Sequence, residues 1–140
     1  NVTAFDAPQS MIELVPKHAK IRCHQATFDT FSENEIFDGI WASFSLLHAK
    51  RKDLPRLLTC IRRAIKPGGL FSIGLKLGTG EKRDTLGRRY IYVSQTELCQ
   101  LLKSSGFDVF DHIIGKDIGL DGVNSDWIFA YAKAQTSGLY

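Results

Sequence analysis

Short apolar runs set apart by polar and glycine-bearing stretches organise this chain. They cover residues 2–6, 21–24, 37–43, 70–76, 107–114 and 127–133. Each has the length of a strand and is bounded by turn-forming residues. The run at 37–43 is almost wholly apolar after Asp38, as in a parallel strand covered on both faces. Helical spacing appears between the runs. Met11, Ile12, Leu14 and Val15 lie between Pro8, which can open a helix, and Pro16, which ends it. Leu54, Leu57, Leu58, Ile61 and Ile65 repeat on one helical face, with Asp53 placed to cap it. Ser94 and Glu97 form a capping-box pair ahead of Leu98, Leu101 and Leu102, and Gly106 closes that helix.

The remaining stretches read as connections. Residues 26–35 are loop-like, with Phe28 and Phe31 as anchors. Residues 78–89 carry three glycines and many charges, and predict a long mobile loop. Residues 115–125 predict a second polar loop, and residues 134–140 a frayed tail. Alternating strand and helix points to an α/β fold, a mostly parallel sheet with helices on both faces. The last two strands have no helix between them, so they predict an antiparallel pair. Residues 1–134 read as one domain and 135–140 as its tail.

The stretch Ile65-Lys66-Pro67-Gly68-Gly69-Leu70 adds detail. Lys66 reads as a cation in a last helical turn, where it complements the helix dipole. Pro67 and Gly68 then stop the helix, and Gly69 permits a tight reversal into the next strand. Upstream stand the Phe37-Asp38-Gly39-Ile40 strand and the Val2–Asp6 strand with its acidic end. In this order and spacing the three motifs resemble class I S-adenosylmethionine-dependent methyltransferases. The resemblance covers residues 2–133 and implies a Rossmann-like sheet with an antiparallel C-terminal strand. The family's first strand and GxGxG loop would lie upstream of Val2. Gly68 and Gly69 cannot replace that loop, because they precede a strand and do not open a helix. The chain therefore reads as the larger C-terminal part of such a domain, a fragment. The stretch with Lys76, Gly78, Glu81, Gly87, Arg88 and Tyr90 resembles a bacterial subgroup of the tellurite-resistance type.

Site residues follow from this resemblance, with S-adenosyl-L-methionine as the implied cofactor. Asp6 can accept both hydrogen bonds of a ribose diol or cap the helix near Pro8. The resemblance selects the ribose role. Met11, Thr27 and Phe28 match positions on the adenine side, and Ser43 and Phe44 follow the strand that lies beside the reacting methyl. His48 is the candidate general base. Lys76, Glu81, Arg88 and Tyr90 are candidates for the acceptor site, with the 78–89 loop closing over the acceptor and Arg88 presenting a planar fork to an anionic group. The implied partner is a small-molecule methyl acceptor.

Composition narrows the alternatives. The chain has 140 residues and a formal charge of +3, too mild to imply nucleic acid. No apolar run approaches the roughly 20 residues of a membrane span. Cys23, Cys60 and Cys99 are odd in number and widely spaced, which excludes a disulfide framework and a zinc site, and implies a reducing cytoplasm. Cys60 and Cys99 fit buried helical faces. Asp117, Asp121 and Asp126 lack calcium-loop spacing, so no metal site is expected. Two other readings stay open, a catalytically inactive binding module of the same fold and a dinucleotide oxidoreductase. Homo-oligomerisation also stays open.

Overall fold

A computed structural model describes residues 2–6, 21–25, 35–43, 46–83, 87–118 and 124–136. The expected helix between Pro8 and Pro16 lies outside them, as do Met11, Thr27, Phe28 and Phe44. The chain divides into two compact units, Asn1–Ser32 and Glu33–Tyr140. In the first, β1 (Val2–Asp6) and β2 (Ile21–Gln25) pair in parallel, Val2 opposite Ile21 and Asp6 opposite Gln25. Asp6 therefore closes β1 at its C-terminal end.

The second unit is built around β4 (Ile65–Leu77). On one edge, β8 (Asn124–Ala134) runs antiparallel to it from Leu70 opposite Lys133 to Lys76 opposite Trp127. The other edge is shared. β3 (Phe37–Ser43) pairs in parallel up to Ser43 opposite Gly74, and β6 (Arg89–Val93) then takes over with Tyr92 opposite Lys76. β5 (Glu81–Arg83) forms a hairpin with β6, and β7 (Phe107–Ile118) pairs antiparallel with β8. The result is a mixed sheet carrying α1 (Leu54–Ala64) and α2 (Gln95–Ser104).

The core follows the period-2 and period-3.6 patterns. Phe71, Ile73 and Leu75 of β4 are fully buried, with Leu58 and Ile61 of α1 and Leu98 and Leu102 of α2. Beside Phe71 and Ile73, β8 places Ala132 and Ala130. Small side chains next to large ones let the layers interdigitate at native density.

Several expectations change. The Lys66-Pro67-Gly68-Gly69 stretch is not a helix end turning into a strand. α1 stops at Ala64, and the stretch is a bulge within β4, because Phe37 faces Ile65 while Gly39 already faces Leu70. Gly68 has φ +80°, and a Cβ on Gly69 would meet the Cγ2 of Ile65 at 2.5 Å and the carbonyl oxygen of Asp38 at 2.7 Å. Lys66 reaches Asp38, 3.2 Å away, and the last turn of α1 carries Arg62 and Arg63 instead. Asp53 makes no side-chain cap bond, since the preceding 3-10 turn Arg51–Asp53 already holds it in helical backbone. β3 is not covered on both faces. Only Ala42 is buried and Trp41 is 76% exposed. The 78–89 loop contains β5, and the β7–β8 hairpin extends through most of the 115–125 loop. Ala134 is buried within β8, and Gln135 donates from its backbone to the Gly106 carbonyl, so the tail starts later than expected. Cys60 and Cys99 are half-buried.

Candidate active site

The C-terminal end of β4 is where its partner changes. β3 leaves after Ser43, and β6 arrives opposite Lys76 and Leu77. In an α/β sheet, ligands meet the chain at strand ends of this kind. Three of the expected residues converge here on the ring of a fourth. Tyr90 of β6 is 7% exposed. The Lys76 ammonium lies 4.5 Å from its ring centre, and the Arg88 guanidinium lies 5.3 Å from it. The His48 imidazole is tilted against it, with centroids 4.9 Å apart. A ring's negative face attracts cations, so Tyr90 holds Lys76 and Arg88 beside it.

Local structure explains each placement. Lys76 and Tyr92 are register partners, which brings β6 alongside. Ile91 and Val93 are fully buried and anchor that strand. His48 ends the 3-10 turn Leu46–His48, whose two leucines are buried. Its Nδ1 is 2.9 Å from the Arg89 carbonyl oxygen. A carbonyl only accepts, so Nδ1 carries the proton, and Nε2 of the neutral ring keeps its lone pair. His48 is exposed, so that lone pair is accessible.

Glu81 does not join this group. Its Oε1 accepts from the Arg51 backbone N–H at 2.6 Å. Its acidity, read as substrate-facing in the sequence, instead satisfies the start of the Arg51–Asp53 turn. Glu97 likewise turns its carboxylate to the Arg51 guanidinium, while Ser94 still caps its N–H at 3.0 Å. Arg51 stands in the cationic run Lys50-Arg51-Lys52 and carries no signal of these contacts in the sequence. Ser43 closes β3 and is exposed. Asp6 closes β1 in the other unit. Among the described residues, no three His, Cys, Asp or Glu side chains gather to hold a metal, and no helix is long and apolar enough to cross a membrane.

Comparison with known proteins identifies the fold. Residues 1–69 match the family described as "Methyltransferase domain". No curated protein matches the chain in sequence. Among solved structures, a SAM-dependent methyltransferase from Methanosarcina mazei aligns with a TM-score of 0.81 at 15% identity, over 96% of this chain and 82% of that one. The 1,6-didemethyltoxoflavin-N1-methyltransferase of Burkholderia thailandensis aligns with a TM-score of 0.72 at 18% identity, over 96% and 71%. An S-adenosylmethionine-dependent methyltransferase from Mesorhizobium loti aligns with a TM-score of 0.67 at 16% identity, over 94% and 79%. The fold is thus the Rossmann-like α/β fold of these enzymes.

Proposed function

We propose that this chain is a class I S-adenosylmethionine-dependent methyltransferase and acts on a small-molecule acceptor bearing an anionic group, held at Tyr90. The convergence of Lys76, Arg88 and His48 on that one buried ring carries the reading. Lys76 is half-buried and has no carboxylate partner among the described residues. A partly desolvated ammonium of that kind favours an anion beside it. Arg88 adds a planar fork suited to carboxylate or phosphate. The Burkholderia thailandensis enzyme supports the acceptor class, since its structure has 1,6-didemethyltoxoflavin and S-adenosylhomocysteine bound.

Each unit carries a strand-end residue proposed for the cofactor: Asp6, which closes β1, is the proposed acceptor for a ribose diol, and Ser43 closes β3. When bound, S-adenosylmethionine supplies a methyl group already activated by its sulfonium. The protein's work is then alignment, which can supply much of the acceleration. Lys76 and Arg88 bind and orient the acceptor, and Tyr90 forms the wall. His48 Nε2 takes the proton when the acceptor atom must lose one. The free thiols of Cys60 and Cys99 fit a reducing cytoplasm.

The test screens small thiols, amines and carboxylates for methyl transfer by the intact protein. With the acceptor found, Arg88→Ala should lower kcat/KM by roughly 10- to 100-fold, the scale of a charge-assisted hydrogen bond. Cofactor affinity should hold, and Arg88→Lys should rescue little. Unchanged turnover in Arg88→Ala would exclude the anion site.

A further inference from the structure

Resting on that reading of Tyr90 and Arg88, we propose that Arg51 is a positioning residue that latches the β5–β6 hairpin in place. The hairpin needs such a latch. β6 pairs with β4 only at Tyr92 and Val93, and all three residues of β5 are exposed. The backbone ladder therefore fixes one end of the hairpin and leaves the rest to side chains.

Arg51 makes contacts in three directions. Its backbone N–H donates to Glu81 of β5 at 2.6 Å. Its Nη1 donates to the Tyr92 carbonyl of β6, also at 2.6 Å. Its Nη2 pairs with the Glu97 carboxylate in the first turn of α2. One residue thus engages both hairpin strands and a helix whose Leu98 and Leu102 are fully buried. His48 supplies a second grip at matching spacing. It stands three residues before Arg51 and holds the Arg89 carbonyl, three residues before Tyr92.

The geometry decides why an arginine is required. The Arg51–Glu97 pair is about one-third exposed on each side, so as an ion pair it adds little stability. Its value is directional. A guanidinium can donate to a carbonyl and a carboxylate at once in a fixed plane, and an ammonium cannot hold that fork. Arg51 reaches Tyr90 and Arg88 only through the β6 backbone, so its effect on an acceptor is indirect.

Hydrogen exchange on the intact protein, without any ligand, tests the latch. In Arg51→Ala, which removes the Tyr92 and Glu97 contacts and keeps the backbone N–H to Glu81, the amides of Lys82 and Tyr92 should exchange about tenfold faster or more, as for a locally opened unit. Amides of the β7–β8 ladder should be unchanged, which controls for folding. Arg51→Lys should recover little of the protection, and Glu97→Gln should show a smaller loss with the Tyr92 contact kept. Benzoate then serves as an anionic probe in calorimetry. Arg51→Ala and Arg88→Ala should each weaken it about tenfold. If Arg88→Ala weakens benzoate and Arg51→Ala changes neither exchange nor binding, the latch is wrong and the anion site stands. If Arg51→Ala frees the hairpin and neither variant affects benzoate, the anion site is wrong, and with it any positioning role. Faster exchange confined to α2 would also overturn the latch, leaving Arg51 a helix contact.

Discussion

Replacing Arg62 by methionine tests how the second unit is held together. Arg62 lies in the last turn of α1 and is only 7% exposed. No carboxylate balances it among the described residues. Three carbonyl oxygens do so instead: Gly106 at 3.2 Å from Nε, Ile65 at 3.1 Å from Nη1, and Gln135 at 2.6 Å from Nη2. Gly106 follows α2, so the charge sits at the C-terminal ends of both helices, where the dipoles favour a cation. Methionine keeps much of the volume and removes the guanidinium's donors, although the Gly106 carbonyl still accepts from the Gln135 backbone N–H. Each bond to a charged group is worth about 1.5–3 kcal/mol, yet the arginine's own desolvation cost is removed with it. The net loss should be about 3–5 kcal/mol, the scale for breaking one side of a buried ionic network. With a urea m-value of about 2 kcal/mol/M, the midpoint should fall by roughly 1.5–2.5 M. Urea denaturation followed by far-ultraviolet circular dichroism reads this directly. Arg62→Lys should recover only part, since one ammonium cannot span three oxygens. A loss below about 1 kcal/mol would show that water serves those carbonyls as well as the guanidinium does.

Two further predictions follow from the backbone and the strand ends. Gly69→Ala should cost about 2–4 kcal/mol, because its Cβ would clash with Ile65 and the Asp38 carbonyl. Gly80→Ala, at φ +75° with nothing within 4 Å, should cost about 1 kcal/mol from backbone strain alone. Similar losses at the two sites in parallel denaturation curves would refute the crowded-bulge account. Asp6→Ala should weaken S-adenosylmethionine binding by roughly 1–3 kcal/mol in calorimetry with smaller change in thermal stability. Equal affinity would leave Asp6 a helix cap.

The strand cores were readable because period-2 apolarity survives any tertiary context. β1 and β3 begin and end where the apolar runs do. The errors share one cause, reading glycine, proline and charge as breaks. Pro67 and two glycines sit inside a strand because a bulge needs a positive φ and room for a neighbouring backbone. Tyr90-Ile91-Tyr92-Val93 is rich in strand-forming residues, but it follows the glycine-bearing 78–89 stretch and reads as no element in the sequence. Arg51 and Arg62 could not be assigned from local sequence. Two of the three partners of Arg62 lie 44 and 73 residues away, and Arg51 meets Glu97 across 46. A one-residue pattern cannot tell a solvated arginine from one whose carbonyl partners arrive only with the fold.

The site itself arises from a backbone requirement. When β3 leaves β4 after Gly74, the N–H and C=O groups of the strand's last turn of ladder still need partners. β6 meets that need at Lys76 and Leu77. Because β6 must lie there, Tyr90 comes to rest under the Lys76 ammonium, and Arg88 follows at the entrance of the strand. The 3-10 turns Leu46–His48 and Arg51–Asp53 bring His48 and Arg51 to the β6 carbonyls. Satisfying one exposed strand edge therefore assembles the cationic groups around one ring. Changes at the buried Ile91 and Val93 would disturb the site by moving that edge.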